Sequence, residues 1–136
     1  MRYVLDTNIV AAVLNGHPAA RSSFNRALSE GLLLLPAIAL AELRYGALSS
    51  TRVAENLARI ERILQVLVFA PIDRPTAERF GHIKARLRRS GRIKSDADLL
   101  VAATALERRA RLVTDDGDLR DGLIEGLAVE NWIVRP

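Results

Sequence analysis

Asp6, Glu42, Asp98 and the cluster Asp115, Asp116 and Asp118 all stand at the boundaries of apolar runs or inside one. Asp6 closes the apolar Tyr3-Val4-Leu5, so it falls at the rim where a core strand stops. Glu42 is the only charged residue from Gly31 to Leu43. An unpaired carboxylate buried there would cost on the order of several kcal/mol, so it should face a cation or a watery cleft. Asp98 opens the apolar stretch Leu99 to Leu106, and Thr114-Asp115-Asp116-Gly117-Asp118 follows the short apolar Leu112-Val113. Carboxylates converging in one cleft raise one another's pKa unless a cation neutralises them. Oxygen ligands without His or Cys suit a hard ion, Mg²⁺ or Mn²⁺. Four such acids balance two divalent ions, an arrangement suited to in-line phosphodiester hydrolysis by a metal-activated water.

Each acid also has a local explanation. Asp6 or Asn8 caps the helix that follows, Ser95 and Asp98 stand in the S-x-x-D relation of a capping box, and an Asp and Gly cluster is what a tight turn wants. Other chemistries have less support. G-x-S-x-G, G-x-G-x-x-G and the phosphate-binding G-x-x-x-x-G-K-[ST] are absent, there is no cysteine to act as nucleophile, and His17 and His82 lack ligand-spaced partners.

The elements that must position these acids alternate. A strand over residues 3–5 precedes a helix from Ile9 to Leu14; Gly16-His17-Pro18 breaks the pattern, and a second helix runs from Ala19 to Glu30. Leu32 to Leu35 is a short apolar run between Gly31 and Pro36, as expected of a strand buried on both faces. Pro36 suits the first turn of a helix reaching Gly46, apolar nearly all round and so expected to be buried. Val53, Leu57, Ile60, Leu64 and Leu67 mark an amphipathic helix, followed by a strand from Val66 to Phe69. Asp73 caps a helix whose buried stripe should be Ala77, Phe80, Ile83 and Leu87. Residues 99–106 form another buried helix, Arg111 to Val113 a strand, and Leu127 to Val134 a short edge strand. Strand and helix alternate about four times, which predicts right-handed crossovers and a mainly parallel sheet of four or five strands covered on both faces. In such sheets ligands bind beyond the carboxyl ends of the strands, and the acids share that rim.

With 136 residues, the chain fits one domain over 1–136. The lack of a basic segment followed by an apolar one argues against export and points to the cytoplasm, and the longest apolar run is far too short for a membrane span. The net charge of +4 is compatible with a polyanionic partner. Six cations fall from Lys84 to Lys94 without one acid; they are either a solvated helix end that favours positive charge or a phosphate contact.

Val4-Leu5-Asp6-Thr7-Asn8, the stretch from Leu35-Pro36-Ala37 to Ala41-Glu42-Leu43-Arg44-Tyr45-Gly46, Asp98-Leu99-Leu100-Val101-Ala102-Ala103-Thr104-Ala105, and Leu112-Val113-Thr114 with its acidic turn together resemble a PIN domain. The resemblance is closest to the VapC toxins of bacterial type II toxin–antitoxin pairs and extends to the closing Gly126 to Trp132. It implies a three-layer α/β/α fold and a Mg²⁺- or Mn²⁺-dependent endoribonuclease that arrests translation and is held inactive by a cognate antitoxin. It also implies that Asp6, Glu42, Asp98 and the turn acid form the catalytic site, with the Thr7 hydroxyl assisting. The family's turn often reads T-x-N with an acid further on, whereas here Asp115, Asp116 and Asp118 compete. Asp116 is the expected fourth acid from its place two residues after the threonine, with Asp118 next; Asp96 is the weaker substitute for Asp98. On this reading Asp6, Asp98 and Asp116 hold metal and Glu42 binds metal or orients water. Basic residues of the 84–94 segment, Arg86, Arg89 and Arg92 among them, track RNA with Arg44 near the site.

Two rivals compete. A receiver-like signalling domain also gathers carboxylates at strand ends, but Phe69-Ala70-Pro71 offers no phosphoacceptor. A non-cleaving PIN-like binding module would use the same pocket to hold a partner or DNA. A mean hydropathy of +0.09 leaves room for an apolar groove for an antitoxin helix or for a homodimer face, with the helices around 10–30 and 50–65 as candidates.

Overall fold

The structure is a computed structural model and describes residues 1–133. In chain order it contains β1 (Arg2–Leu5), α1 (Thr7–Leu14), α2 (Pro18–Glu30), β2 (Leu32–Pro36), α3 (Ala37–Leu48), α4 (Val53–Leu64), β3 (Val68–Ala70), α5 (Arg74–Arg89), α6 (Asp96–Glu107), β4 (Arg111–Val113), α7 (Gly117–Arg120) and β5 (Val129–Glu130). The five strands are all parallel, in the order β3-β2-β1-β4-β5.

Alternation along the strands divides the interior in two. Tyr3, Leu5, Leu33, Leu35 and Val113 point into a core closed by α1, α2, α3 and α4. Val4, Leu34, Ala70 and Leu112 point the other way, into a core closed by α5, α6 and α7. The three layers are therefore α/β/α, and the central strands are apolar past their first residues, Arg2 in β1 and Arg111 in β4, because both of their faces are covered there. Leu33, Leu34 and Leu35 are buried, as the leucine run predicts, whereas Leu32 at the start of the strand is exposed. A Cβ at Gly31 would lie 1.9 Å from the Met1 carbonyl oxygen; the bare backbone lets Leu32 N–H reach that oxygen at 3.0 Å and start the β1–β2 pairing.

Helix starts follow their caps. The side chains of Asp6, His17, Asp73, Ser95 and Asp116 each accept a backbone N–H at the first turn of α1, α2, α5, α6 and α7. His17 is thus an ordinary capping residue. The helix of residues 99–106 is as buried as expected, with Val101 to Ala105 nearly inaccessible.

Several expectations are corrected. The third helix is not buried all round: Ala39, Leu43 and Ala47 face the core, while Ala41, Glu42, Tyr45 and Leu48 are exposed. Hydropathy alone could not say that this helix covers only one side. Pro36 ends β2, paired with Ala70, and is the N-cap residue of the third helix instead of lying in its first turn. The third strand is Val68–Ala70. In α5 the inward stripe begins at Thr76, with Ala77 exposed, because the Asp73 cap turns the first turn inward through the Thr76 hydroxyl. The turn after β4 contains the one-turn helix α7. The last strand is limited to Val129–Glu130, and Val134 lies outside the described residues.

Candidate active site

The strand order reverses direction about β1, with β2 on one side and β4 on the other, so the crevice at this switch point opens between the ends of β1 and β4. Asp6 leaves β1 there, and Thr114 to Asp116 leave β4. The Asp6 backbone N–H continues the ladder to the Val113 carbonyl at 3.0 Å, which fixes both strand ends.

Asp6 is buried. Its Oδ1 accepts the Thr7 backbone N–H at 2.8 Å, and its Oδ2 accepts the Thr114 hydroxyl at 2.8 Å and the Asn8 side-chain amide at 3.3 Å. Burial pushes this carboxyl above the usual range, and Glu42 and Asp116 add to the rise, against the hydrogen bonds from Thr114 and Thr7. Glu42 reaches the same cleft from α3: the Thr7 hydroxyl donates to its Oε1 at 2.7 Å. The carboxylate that stood alone in an apolar run faces an open cleft and so avoids a burial cost.

Asp98 lies in the first turn of α6, its backbone N–H bonded to Ser95 Oγ at 3.1 Å. Its carboxyl is pushed up to about 6, first by burial and then by Asp116 and Asp6. Asp116 caps α7, accepting the Asp118 N–H at 2.9 Å, while its own N–H donates to Thr114 Oγ1 at 3.0 Å. Asp98, Asp116 and Asp118 each offer a carboxylate oxygen, all within 4.8 Å of one another.

Asp6, Glu42, Asp98 and Asp116 therefore converge, and Asp118 joins them more closely than its supporting role implied. Asp6 and Glu42 stand outside the three-acid group. Among the described residues, none of these five acids forms an ion pair with Lys or Arg. A set of oxygen donors that repel one another, none of them ion-paired to Lys or Arg among the described residues, fits a hard divalent ion.

The remaining turn acid is turned away. Asp115 accepts Asn131 Nδ2 at 2.9 Å, and its N–H donates to Asn8 Oδ1 at 3.1 Å. Asp96 bonds Lys84 at 2.8 Å on the surface. Two residues of the site were not singled out from sequence as positioning groups. Asn8 bridges Asp6, Thr114 and the Asp115 backbone, and Thr114 joins Asp6 to Asp116. Their only sequence signal is a polar residue just past each strand end.

The cations are more varied than their clustering suggests. Arg44 pairs with Glu61 at 3.6 Å and Arg86 with Glu125. The Lys94 side chain is covered against α7, 4% exposed, which corrects its inclusion among surface cations. Arg88, Arg89 and Arg92 are exposed and make no ion pair among the described residues.

An all-parallel α/β/α sheet with an uncompensated acidic centre at its switch point defines the class of domain. The family model for the PIN domain matches residues 3–122. The chain belongs to the PIN-domain family, within its VapC branch. Ribonuclease VapC2 of Haemophilus influenzae is 35% identical over 135 residues, covering 98% of this chain and 99% of the relative. The tRNA(fMet)-specific endonuclease VapC of Shigella flexneri is 32% identical over 133 residues, covering 97% and 98%. Among solved structures, VapBC2 from Rickettsia felis bound to a promoter DNA fragment matches with a TM-score of 0.89 at 28% identity, covering 97% of this chain and 99% of that one.

Proposed function

We propose that this protein is a Mg²⁺-dependent endoribonuclease toxin, with Mn²⁺ able to substitute, which hydrolyses RNA phosphodiester bonds to inhibit translation and is neutralised by a cognate antitoxin. The observation that carries this reading is the meeting of Asp6, Glu42, Asp98 and Asp116, from four separate parts of the chain, in one cleft without a cation partner. The names of its VapC relatives support RNA as the substrate class.

Asp6, Asp98 and Asp116 would hold the metal, with Asp118 able to contribute an oxygen. A bound divalent ion supplies a nucleophilic water near neutral pH and stabilises charge on the scissile phosphate. Glu42, held by the Thr7 hydroxyl, orients the attacking water at the open side of the cleft. Thr114 and Asn8 keep the Asp6 carboxylate turned inward. The exposed guanidinium groups of Arg89 and Arg92 attract the RNA backbone; Arg86 and Arg44 join them by exchanging Glu125 and Glu61 for phosphate.

The single nuclease domain takes in residues 1–136 on this reading, and it acts in the cytoplasm; no helix among the described residues is long and apolar enough to cross a membrane. The antitoxin would occupy the helix side of the cleft. A groove of about 400 Å³ between α1, α2 and α4 combines Leu14, Phe24 and Ile63 with Arg21, Arg59 and Arg62. A second, about 300 Å³, shares Leu14 and Arg59 and reaches Thr7 and Glu42. This combination suits an amphipathic helix carrying acids. The exposed Tyr45 and Leu48 of α3 offer a homodimer face.

The test is RNA cleavage with Mg²⁺ or Mn²⁺, with and without chelator, for the wild type, Asp6→Asn and Asp98→Asn. Loss of cleavage on chelation and in both variants is expected. Undiminished cleavage in both variants would remove the proposal.

A further inference from the structure

Lys94 lies in the basic 84–94 segment, yet its side chain is only 4% exposed. Its ammonium group donates to the Asp118 carbonyl and, at 2.5 Å, to Asp121 Oδ2. A lysine so enclosed is not placed to meet a phosphate. It also cannot stay charged at low cost without such partners.

These bonds fall where α7 needs support. A single helical turn is too short to hold its shape without tertiary contacts. Its amino end is tied by the Thr114 hydroxyl to the Asp116 N–H. Leu119 is buried beneath it. Lys94 ties the same turn further along, through the Asp118 carbonyl and the side chain of Asp121, its C-cap residue. Lys94 is four residues before Asp98. The same ammonium group thus joins the segment that carries Asp98 to the turn that carries Asp116 and Asp118, three carboxylates whose mutual repulsion would otherwise spread them.

We propose that Lys94 is a positioning residue for the acidic centre, clamping α7 to the start of α6 and so setting the spacing of Asp98 from Asp116 and Asp118. This rests on the reading of those acids as a divalent-metal site. Hydrogen-bond partners that orient metal ligands typically contribute about 10- to 100-fold in metal affinity or activity.

The test uses the full chain, with Mn²⁺ binding measured by titration calorimetry and cleavage of a fluorogenic RNA followed at several salt concentrations. Lys94→Met is expected to weaken Mn²⁺ binding about tenfold and to lower kcat, with KM and its salt dependence unchanged. Lys94→Gln, which keeps a donor for the Asp118 carbonyl, is expected to fall between it and the wild type, and serves if Lys94→Met does not fold. Asp121→Asn should weaken Mn²⁺ binding by a smaller factor. Wild-type Mn²⁺ affinity and kcat in the folded Lys94 variants would overturn the clamp. So would a raised KM with a shallower salt dependence, which marks a phosphate contact. If the wild type itself bound no Mn²⁺, the metal-site reading would fall first and the clamp with it.

Discussion

The Thr114 hydroxyl donates to Asp6 Oδ2 at 2.8 Å, joining two residues 108 positions apart at the ends of neighbouring strands. The same oxygen accepts the Asp116 N–H, so one fully buried hydroxyl orients two acids of the centre. Thr114→Val keeps the shape and removes the hydrogen bonds. It is expected to cost about 1–3 kcal/mol, the penalty for buried polar groups left without a partner, and to lower RNA cleavage. Thr114→Ser should retain most of both. Urea unfolding and a cleavage assay check this; a Val variant as stable and active as the wild type would contradict it.

Asp98 links pH to stability. In the folded, metal-free protein its carboxyl titrates at about 6, against an ordinary value of 3.8. Between these values the folded state binds more protons than the unfolded one. The contribution of Asp98 to stability is therefore fully present below about pH 3.8 and is lost as pH rises through about 6. Asp98→Asn removes this dependence. In chelator at pH 7 the variant should exceed the wild type by about 1 kcal/mol, allowing for solvent screening of a half-buried group, and the gap should close near pH 4. Urea midpoints across this range measure it.

Metal should reverse that order. Mn²⁺ at about 100 times its Kd should stabilise the wild type by about 2.7 kcal/mol through mass action, and Asp98→Asn far less. Thermal melts with and without Mn²⁺ provide the comparison, and equal shifts in the two proteins would count against Asp98 as a ligand.

The turn acids separate by role. Asp116→Asn is expected to lower cleavage at least about 100-fold, because it takes away a carboxylate that would hold the metal on which stabilisation of transition-state charge depends. Asp115→Asn should leave cleavage near wild type and cost about 1 kcal/mol of stability, because it weakens the bond to Asn131. Rates and unfolding midpoints of the two variants decide which acid serves the site.

Arg89 and Arg92 are exposed cations in the same segment as Lys94. Their replacement by Ala should raise KM and make the salt slope shallower by about 0.7 for each phosphate of single-stranded RNA that the variant no longer neutralises. Metal affinity should be untouched. A changed Mn²⁺ affinity with an unchanged salt slope would reverse the assignment.

By itself the sequence determined the strand–helix alternation, the leucine strand covered on both faces, the capping acids and the set of carboxylates at strand ends. These are local properties: hydrophobic period, chain-breaking Gly and Pro, and the chemistry of a polar residue that follows an apolar run. The PIN-like blocks were legible for the same reason, since each is a short contiguous pattern. Composition and pattern did not say which of Asp115 and Asp116 turns inward; only the resemblance to the family's turn favoured Asp116. Adjacent residues diverge there because Asn131 and Asn8, distant in the chain, hold one acid while Thr114 holds the other. Nor could charge counting distinguish the covered Lys94 side chain from the exposed Arg92, or show that α3 leaves Tyr45 uncovered. Those outcomes depend on what lies across the gap, and only the packing of non-adjacent segments decides it.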